Sequence, residues 1–378
     1  MTQSEKITCS LINHGLAISH DGKSLSPCCQ YKTYYESSIS WQEFDRYQTE
    51  FKPKLINELV QGNRVKECSH CWNEENIGYT SLRNVSNNRD GYNNDSFDTY
   101  DLEFRMGTHC NLACIMCSSS ASSTWYTELV KHQDIFKNVT AIKEHTLVAP
   151  VANTWEDPEF LKFIRPHLAT ARRINLSGGE PLTMPGTLNL LDELVNLNRT
   201  DVTLQSTTNF SKIPNRLIAK LEPFENLDLI ISLEGTGAMN DYLRYPSCWA
   251  EIENNIQRIK NTTNIRLNRV HHVLQHTSAY SLPPLIDWCE KNSMELTLTY
   301  VQGNQCLVPE SIPPEDLDRF ILWAKNNTYI SDSVKSAVLN LKNTVFSNEL
   351  FRQFREYVSA LDQSRGTNYD KIFNPSMR

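Results

Sequence analysis

The 378-residue chain has no long apolar run. Stretches such as LDLIISL (227–233) are far shorter than the ~20 residues that span a bilayer, so no membrane partner is expected. An export signal is also missing. MTQSEKITCS at the start has neither an apolar h-region nor a small-residue cleavage site, which predicts a cytoplasmic protein. Excess positive charge is absent too: 37 Lys and Arg stand against 44 Asp and Glu, a formal charge of −7. That balance, with no aromatic–basic binding module, argues against a nucleic-acid partner. There is no internal repeat and no low-complexity segment.

Cysteine, by contrast, is plentiful, with eleven residues. In a reducing compartment disulfides are disfavoured, and clustered thiols point to metal or catalysis. Cys9, Cys28, Cys29, Cys68 and Cys71 precede residue 72, and Cys110, Cys114 and Cys117 fall within eight residues. The scattered Cys248, Cys289 and Cys306 read as buried, apolar-like thiols.

Four regions are expected. Residues 1–85 form a loop-rich, cysteine-dependent unit with a helical stretch from Trp41 to about Val60. Residues 86–98 form an Asn-, Asp- and Gly-dense linker, because these residues favour turns. From 99 to 305, strands alternate with helices. The strands are expected at 100–107, 172–177, 201–207, 227–235, 265–274 and 295–302, and such alternation implies βαβ units and a parallel sheet. Six units fall short of the eight of a closed barrel, so the fold class is α/β, a partial (β/α)6 TIM-like barrel. Residues 306–378 read as a helical C-terminal extension, and 133–156 as a poorly patterned insertion.

The segment FRMGTHCNLACIMCSSS (104–120) carries C-x3-C-x2-C directly after the first barrel strand. Three thiolates from one short loop suit three irons of a cubane and leave the fourth open. A zinc knot would ask for a fourth ligand, and His109 is too close to Cys110 to supply it comfortably.

This motif resembles the signature of the radical S-adenosylmethionine (SAM) superfamily. LSGGEPL (176–182), after the second strand, is similar to the family's GGEP element. STTNF (206–210) is similar to its T-N-G turn, with Phe210 in place of Gly. ISLEGTGAMNDYLR (231–244) is similar to its S-x-D-G…R segment, with Glu234 where Asp is usual. The resemblance implies a [4Fe–4S] cluster on Cys110, Cys114 and Cys117. It implies SAM contacts from Met116 (often aromatic in the family), Gly178, Gly179, Glu180, Asn209, Ser232, Glu234 and Arg244, the last as carboxylate partner. No counterpart of the adenine-contacting fifth-strand element is evident in RVHHVLQ (269–275). The implied activity is reductive cleavage of SAM to a 5′-deoxyadenosyl radical that abstracts hydrogen from substrate, with flavodoxin or ferredoxin as electron donor.

The early cysteines, in P-C-C, W-x2-F and E-C-x2-C contexts, resemble the SPASM/twitch auxiliary-cluster type, here placed before the barrel. That resemblance implies a second [4Fe–4S] cluster on Cys9, Cys28, Cys68 and Cys71, with Cys29 as the alternative to Cys28 and zinc as the alternative metal. It also favours a peptide or protein substrate. A small nucleoside substrate, or a non-catalytic metal-binding protein, are the alternatives. His271 and His272 are expected as packed, hydrogen-bonded histidines on opposite strand faces, Trp125 and Tyr126 as core, and Arg172–Arg173 as a solvated entry. FRQFREYV (351–358) is expected as an amphipathic helix with no functional part.

Overall fold

The structure, a computed structural model, describes residues 7–19, 21–32, 38–76, 80–89, 99–143, 147–150, 157–261 and 265–373. The chain forms two compact units, Met1–Gly107, Val151–Ser206 and Arg216–Leu227 in one, Thr108–Pro150, Thr207–Asn215 and Asp228–Arg378 in the other. The described residues contain eight strands, β1 (Gly15–Ile18), β2 (Leu25–Ser26), β3 (Asp101–Arg105), β4 (Arg173–Ser177), β5 (Thr203–Thr208), β6 (Asn226–Ser232), β7 (Ile265–Leu274) and β8 (Glu295–Tyr300). The last six match the expected barrel strands, and the fold class is α/β.

In the first unit the strands lie in the order β2-β1-β3-β4-β5. β1, β3, β4 and β5 are parallel, with Leu102 opposite Ile174 and Ile174 opposite Leu204. Alternation divides β3 between two faces. Leu102 and Phe104 are buried, as are Ile174 and Leu176 of β4 and Leu204 of β5. Asp101, Glu103, Asn175 and Gln205 lie on the opposite, polar face, where they line one pocket.

One strand, β1, links the residues before 85 to those after 99. Gly15–Ile18 pairs in parallel with Asp101–Phe104, which ties the N-terminal residues to the first barrel strand. Gly15 is required there by close approach, since a Cβ would stand 2.2 Å from the Pro27 carbonyl oxygen and 2.6 Å from that of Leu11. Gly15→Ala should therefore lower stability by about 2 kcal/mol or more, in the range of overpacked sites, read as a drop in the denaturation midpoint. The linker expectation falls mostly outside the described residues, although Ser86 and Asn87 end the helix Leu82–Asn87.

In the second unit β7 and β8 pair in parallel from Arg269–Glu295 to Leu274–Tyr300. The helix Trp249–Lys260 buries Ile252, Asn255, Ile256 and Ile259, the 3–4 spacing of one helical face. A core of Trp125, Phe136, Tyr242, Leu243, Phe354, Tyr357 and Leu361 joins the segment after Thr108 to the long C-terminal helix Asn348–Arg365. The helices Pro314–Asn326, Asp332–Asn340 and Tyr369–Phe373 accompany it. No helix among the described residues is long and apolar enough to cross a membrane.

His276 sits in this core, stacked at 3.6 Å on Phe354 and bonded through Nδ1 to the Ser311 hydroxyl at 2.8 Å. Burial, with the Arg355 cation adding to it, pushes the ring down to about 3. Its folded value lies below the unfolded one, so the neutral ring contributes stability that is complete above pH ~6.5 and is lost as pH falls toward 3. The expected loss is about 1.4 kcal/mol per pH unit below 6.5. His276→Phe should flatten that slope relative to wild type in denaturation midpoints taken from pH 7 to 4.5.

Candidate functional site

The cysteine loop belongs to the second unit. Cys110 and Cys114 are buried, and Met116 and Cys117 pack against them. Cys114 and Cys117 share a hydrogen bond, which holds Cys114 below the ordinary thiol value and pushes Cys117 well above it. Arg244 stands behind this pair, its Nη1 3.8 Å from Cys114 Sγ. Burial works against its charge, but Glu234 and then the two thiols outweigh that and hold the guanidinium above its ordinary value.

Glu234 is fully buried and both its oxygens are engaged. Arg244 Nη2 donates to Oε1 at 2.6 Å, and the Val273 amide donates to Oε2 at 3.0 Å. His272 Nδ1 lies 3.2 Å from the same Oε2 and 3.1 Å from the Leu233 carbonyl oxygen. With two acceptors around Nδ1, the proton belongs there, and Nε2 accepts from the Ser278 hydroxyl at 2.8 Å. His271, on the other strand face, meets the hydroxyls of Thr297 and Thr299. Both histidines are packed and hydrogen-bonded, as expected.

Asn209 reaches the same loop, with Nδ2 donating to Asn111 Oδ1 at 3.0 Å, while its Oδ1 accepts from the Ser211 amide and hydroxyl. The turn that follows has Phe210 at φ 59°, a left-handed conformation that favours Gly. The Gly-type backbone survives the substitution, with the ring fully buried and the Phe210 carbonyl accepting from Asn255 Nδ2. Ser232, at the end of β6, is buried. The second unit thus brings together the three loop cysteines, Met116, Asn209, Glu234 and Arg244.

Gly178, Gly179 and Glu180 belong to the first unit. Gly178 has φ 116°, and a Cβ on it would stand 2.8 Å from the Gly107 carbonyl oxygen. The Gly179 amide donates to that same oxygen at 2.9 Å. Glycine is therefore required at this turn by the close approach of the Met106–Gly107 backbone. Glu180 is buried, and its Oε1 caps the next turn by accepting from the Leu182 amide at 3.2 Å.

The N-terminal thiols also lie in the first unit. Cys9, Cys28, Cys68 and Cys71 line one apolar pocket with Leu11, Leu59 and Trp72. Burial pushes Cys9 up to about 11 and Cys68 up to about 12, and raises Cys28 and Cys71 as well; neighbouring sulfurs add to the effect at Cys28 and Cys68. Arg83, paired with Glu75 at 2.7 Å, is the adjoining cation. Cys29 faces elsewhere. Its thiol is raised well above the usual value by burial and by Glu103, to which it is hydrogen-bonded. The pocket on that side is polar, with Asp101, Glu103, Arg173, Asn175 and Gln205 along the sheet.

The donor sets fit the implied groups. Sulfur ligands suit iron–sulfur clusters, and four thiols suit either such a cluster or zinc. Among the described residues no three His, Cys, Asp or Glu side chains converge on one metal-ion position. A tetrahedral zinc with Zn–S near 2.3 Å draws its sulfurs to about 3.8 Å from one another, whereas a cubane takes each thiolate at a different iron.

Two expectations change. Cys248 is exposed, not buried, at the start of the helix Trp249–Lys260. Arg173 is not a solvated entry, since it reaches Asp101 at 3.8 Å and lines the polar pocket. Trp125 is core, but its indole Nε1 also donates to the Cys114 carbonyl at 2.6 Å.

No family model matches the chain, and no curated protein matches it in sequence. Among solved structures the chain is similar to native anSMEcpe with bound AdoMet, at 15% identity and TM-score 0.42, over 59% of this chain and 58% of that one. It is similar to Streptococcus suis SuiB bound to S-adenosylmethionine at 15% identity and TM-score 0.37, over 94% and 74%. TYW1 with a lysine-pyruvate adduct bound is matched at 15% identity and TM-score 0.32, over 61% and 72%. The chain spans about three fifths of the length of the first.

Proposed function

We propose that this chain is a radical SAM enzyme, with Cys110, Cys114 and Cys117 holding a [4Fe–4S] cluster. One observation carries the reading: three thiols of a single eight-residue turn sit buried or half-buried together, with the buried Arg244–Glu234 pair against them. When bound, the cluster and SAM supply reductive cleavage of the S–C5′ bond and the hydrogen abstraction that follows.

The chain's own residues do the rest. Gly178 and Gly179 present backbone to the cofactor, Glu180 stiffens their turn, and Asn209, Ser232 and Met116 are the other proposed contacts. Glu234 fixes Arg244, the proposed partner of the SAM carboxylate. Cys9, Cys28, Cys68 and Cys71 are proposed to hold a second cluster. The polar pocket beside Cys29, with charged and amide side chains on one sheet face, supports a polar substrate; a peptide or protein segment is the class we favour. A small one-electron donor such as flavodoxin or ferredoxin would serve it.

The test is anaerobic reconstitution. Iron, sulfide and zinc per chain, the electron paramagnetic resonance (EPR) spectrum of the reduced protein with and without SAM, and deoxyadenosine formation should show two clusters, one of them SAM-responsive. Zinc alone at the 110–117 turn would overturn the reading. The two adjacent cysteines separate cleanly: Cys28→Ser should remove the N-terminal metal, and Cys29→Ser should leave metal content unchanged.

A further inference from the structure

The cysteine loop is held by its carbonyls. Thr124 Oγ1 donates to the Cys110 carbonyl at 2.6 Å, Ser122 Oγ to Leu112 at 2.6 Å and Trp125 Nε1 to Cys114 at 2.6 Å. Those three donors come from the next helix in sequence, Ser123–Lys131, and its N-cap. Two more come from some 240 residues away. Tyr357 Oη donates to the Ile115 carbonyl at 2.7 Å, and Arg365 Nη2 to the Ala113 carbonyl at 2.8 Å. Both sit on the C-terminal helix Asn348–Arg365.

Arg365 is an unusual surface-helix terminus, because its side chain is only 2% exposed. Its Nε and Nη2 bond Glu128 in a fork, at 2.8 and 3.0 Å, and Ser364 Oγ donates to the same carboxylate. Its guanidinium lies over the rings of Trp125 and Tyr245, 5.0 and 4.8 Å from their centroids. A fork-shaped cation near two ring faces and paired at one edge is a rigid donor. Tyr357 is likewise locked, 1% exposed within the core.

We propose that the helix Asn348–Arg365 is a clamp on the cysteine loop, with Tyr357 and Arg365 as positioning residues that fix Ala113–Ile115 between the first and third thiols. Groups behind first ligands set ligand orientation, and their loss typically costs 10–100-fold in metal affinity. The clamp deepens the function proposed above and rests on it only for its iron-dependent consequences.

Tyr357→Phe keeps the ring and removes the donor. Arg365→Lys keeps the charge and removes the fork. Val358→Ala, buried on the same helix but bonded to no loop carbonyl, controls for loss of packing. In the full-length protein as purified, both clamp variants should speed hydrogen exchange of the amides between 111 and 117, whereas Val358→Ala should not. In the iron-loaded protein, both should lose the loop cluster to an iron chelator about 10–100-fold faster and shift its EPR spectrum and midpoint potential, with the N-terminal site unchanged. Unaltered loop exchange in Tyr357→Phe and Arg365→Lys overturns the clamp. Faster exchange in a protein that binds no iron at the loop upholds the clamp and overturns the radical SAM reading alone.

Discussion

Cys114→Ser should leave the protein folded and strip the loop of its cluster. Iron should fall by about four atoms per chain, one cubane's worth, and deoxyadenosine formation should fall at least ~100-fold. Serine is nearly isosteric, so packing around position 114 should survive. Its oxygen is a harder donor that ionises far less readily than a thiol. Cys114 is also the thiol that the loop serves most closely: Arg244 lies 3.8 Å from its sulfur, and the Trp125 indole binds its carbonyl. Cys289→Ser is the matched control. That thiol is buried in the helix Ser278–Lys291, and burial alone pushes it up to about 12. It should leave iron and deoxyadenosine unchanged while costing some stability. Equal iron losses in the two variants would sink the ligand assignment.

The second large effect belongs to Glu234. Glu234→Gln should lower stability by about 3–5 kcal/mol, because it strands the buried Arg244 charge. The Arg244 side chain is 10% exposed and that of Glu234 not at all, so water cannot make good the loss. Gln keeps one acceptor oxygen but sets an NH2 group against either Arg244 or the Val273 amide and His272 ring, which places the figure toward the upper end. Removing both charges should behave differently. The pair Glu234→Gln with Arg244→Met deletes the stranded cation, and should recover much of the loss, since isolated burial rather than the missing bond is the main penalty. Denaturant midpoints for the two single variants and the double variant close the cycle. Additive losses would mean that the two side chains do not act as a pair.

Most of the strand–helix order was legible, because the apolar runs of β3 to β8, alternating in β4 and β5 and near-continuous in β6, are separated by helical faces. β1 was not. GLAI is four residues, all buried, with no alternation to read and a glycine at its head. Its partner is known only once β3 is in place. The site divided in the same way. Motif cysteines and the GGE turn stand out locally, and Cys28 and Cys29 could not be separated until their surroundings placed one among the other thiols and the other on Glu103. The bonds from Tyr357 and Arg365 had no local signature at all. Each looks like an ordinary member of an amphipathic helix, and only tertiary packing aims it at a carbonyl. Glu234 in place of Asp was visible, but its engagement with Arg244, His272 and Val273 was not, since pairing across strands cannot be read from spacing along one.

The parallel pairing of Gly15–Ile18 with Asp101–Phe104 also bears on how the chain is born. A ribosome releases β1 well before its parallel partner β3 has been synthesised. During that interval the edge of β1 that β3 will cover offers unpaired backbone N–H and C=O groups. That open edge closes only once the polypeptide has grown past residue 105.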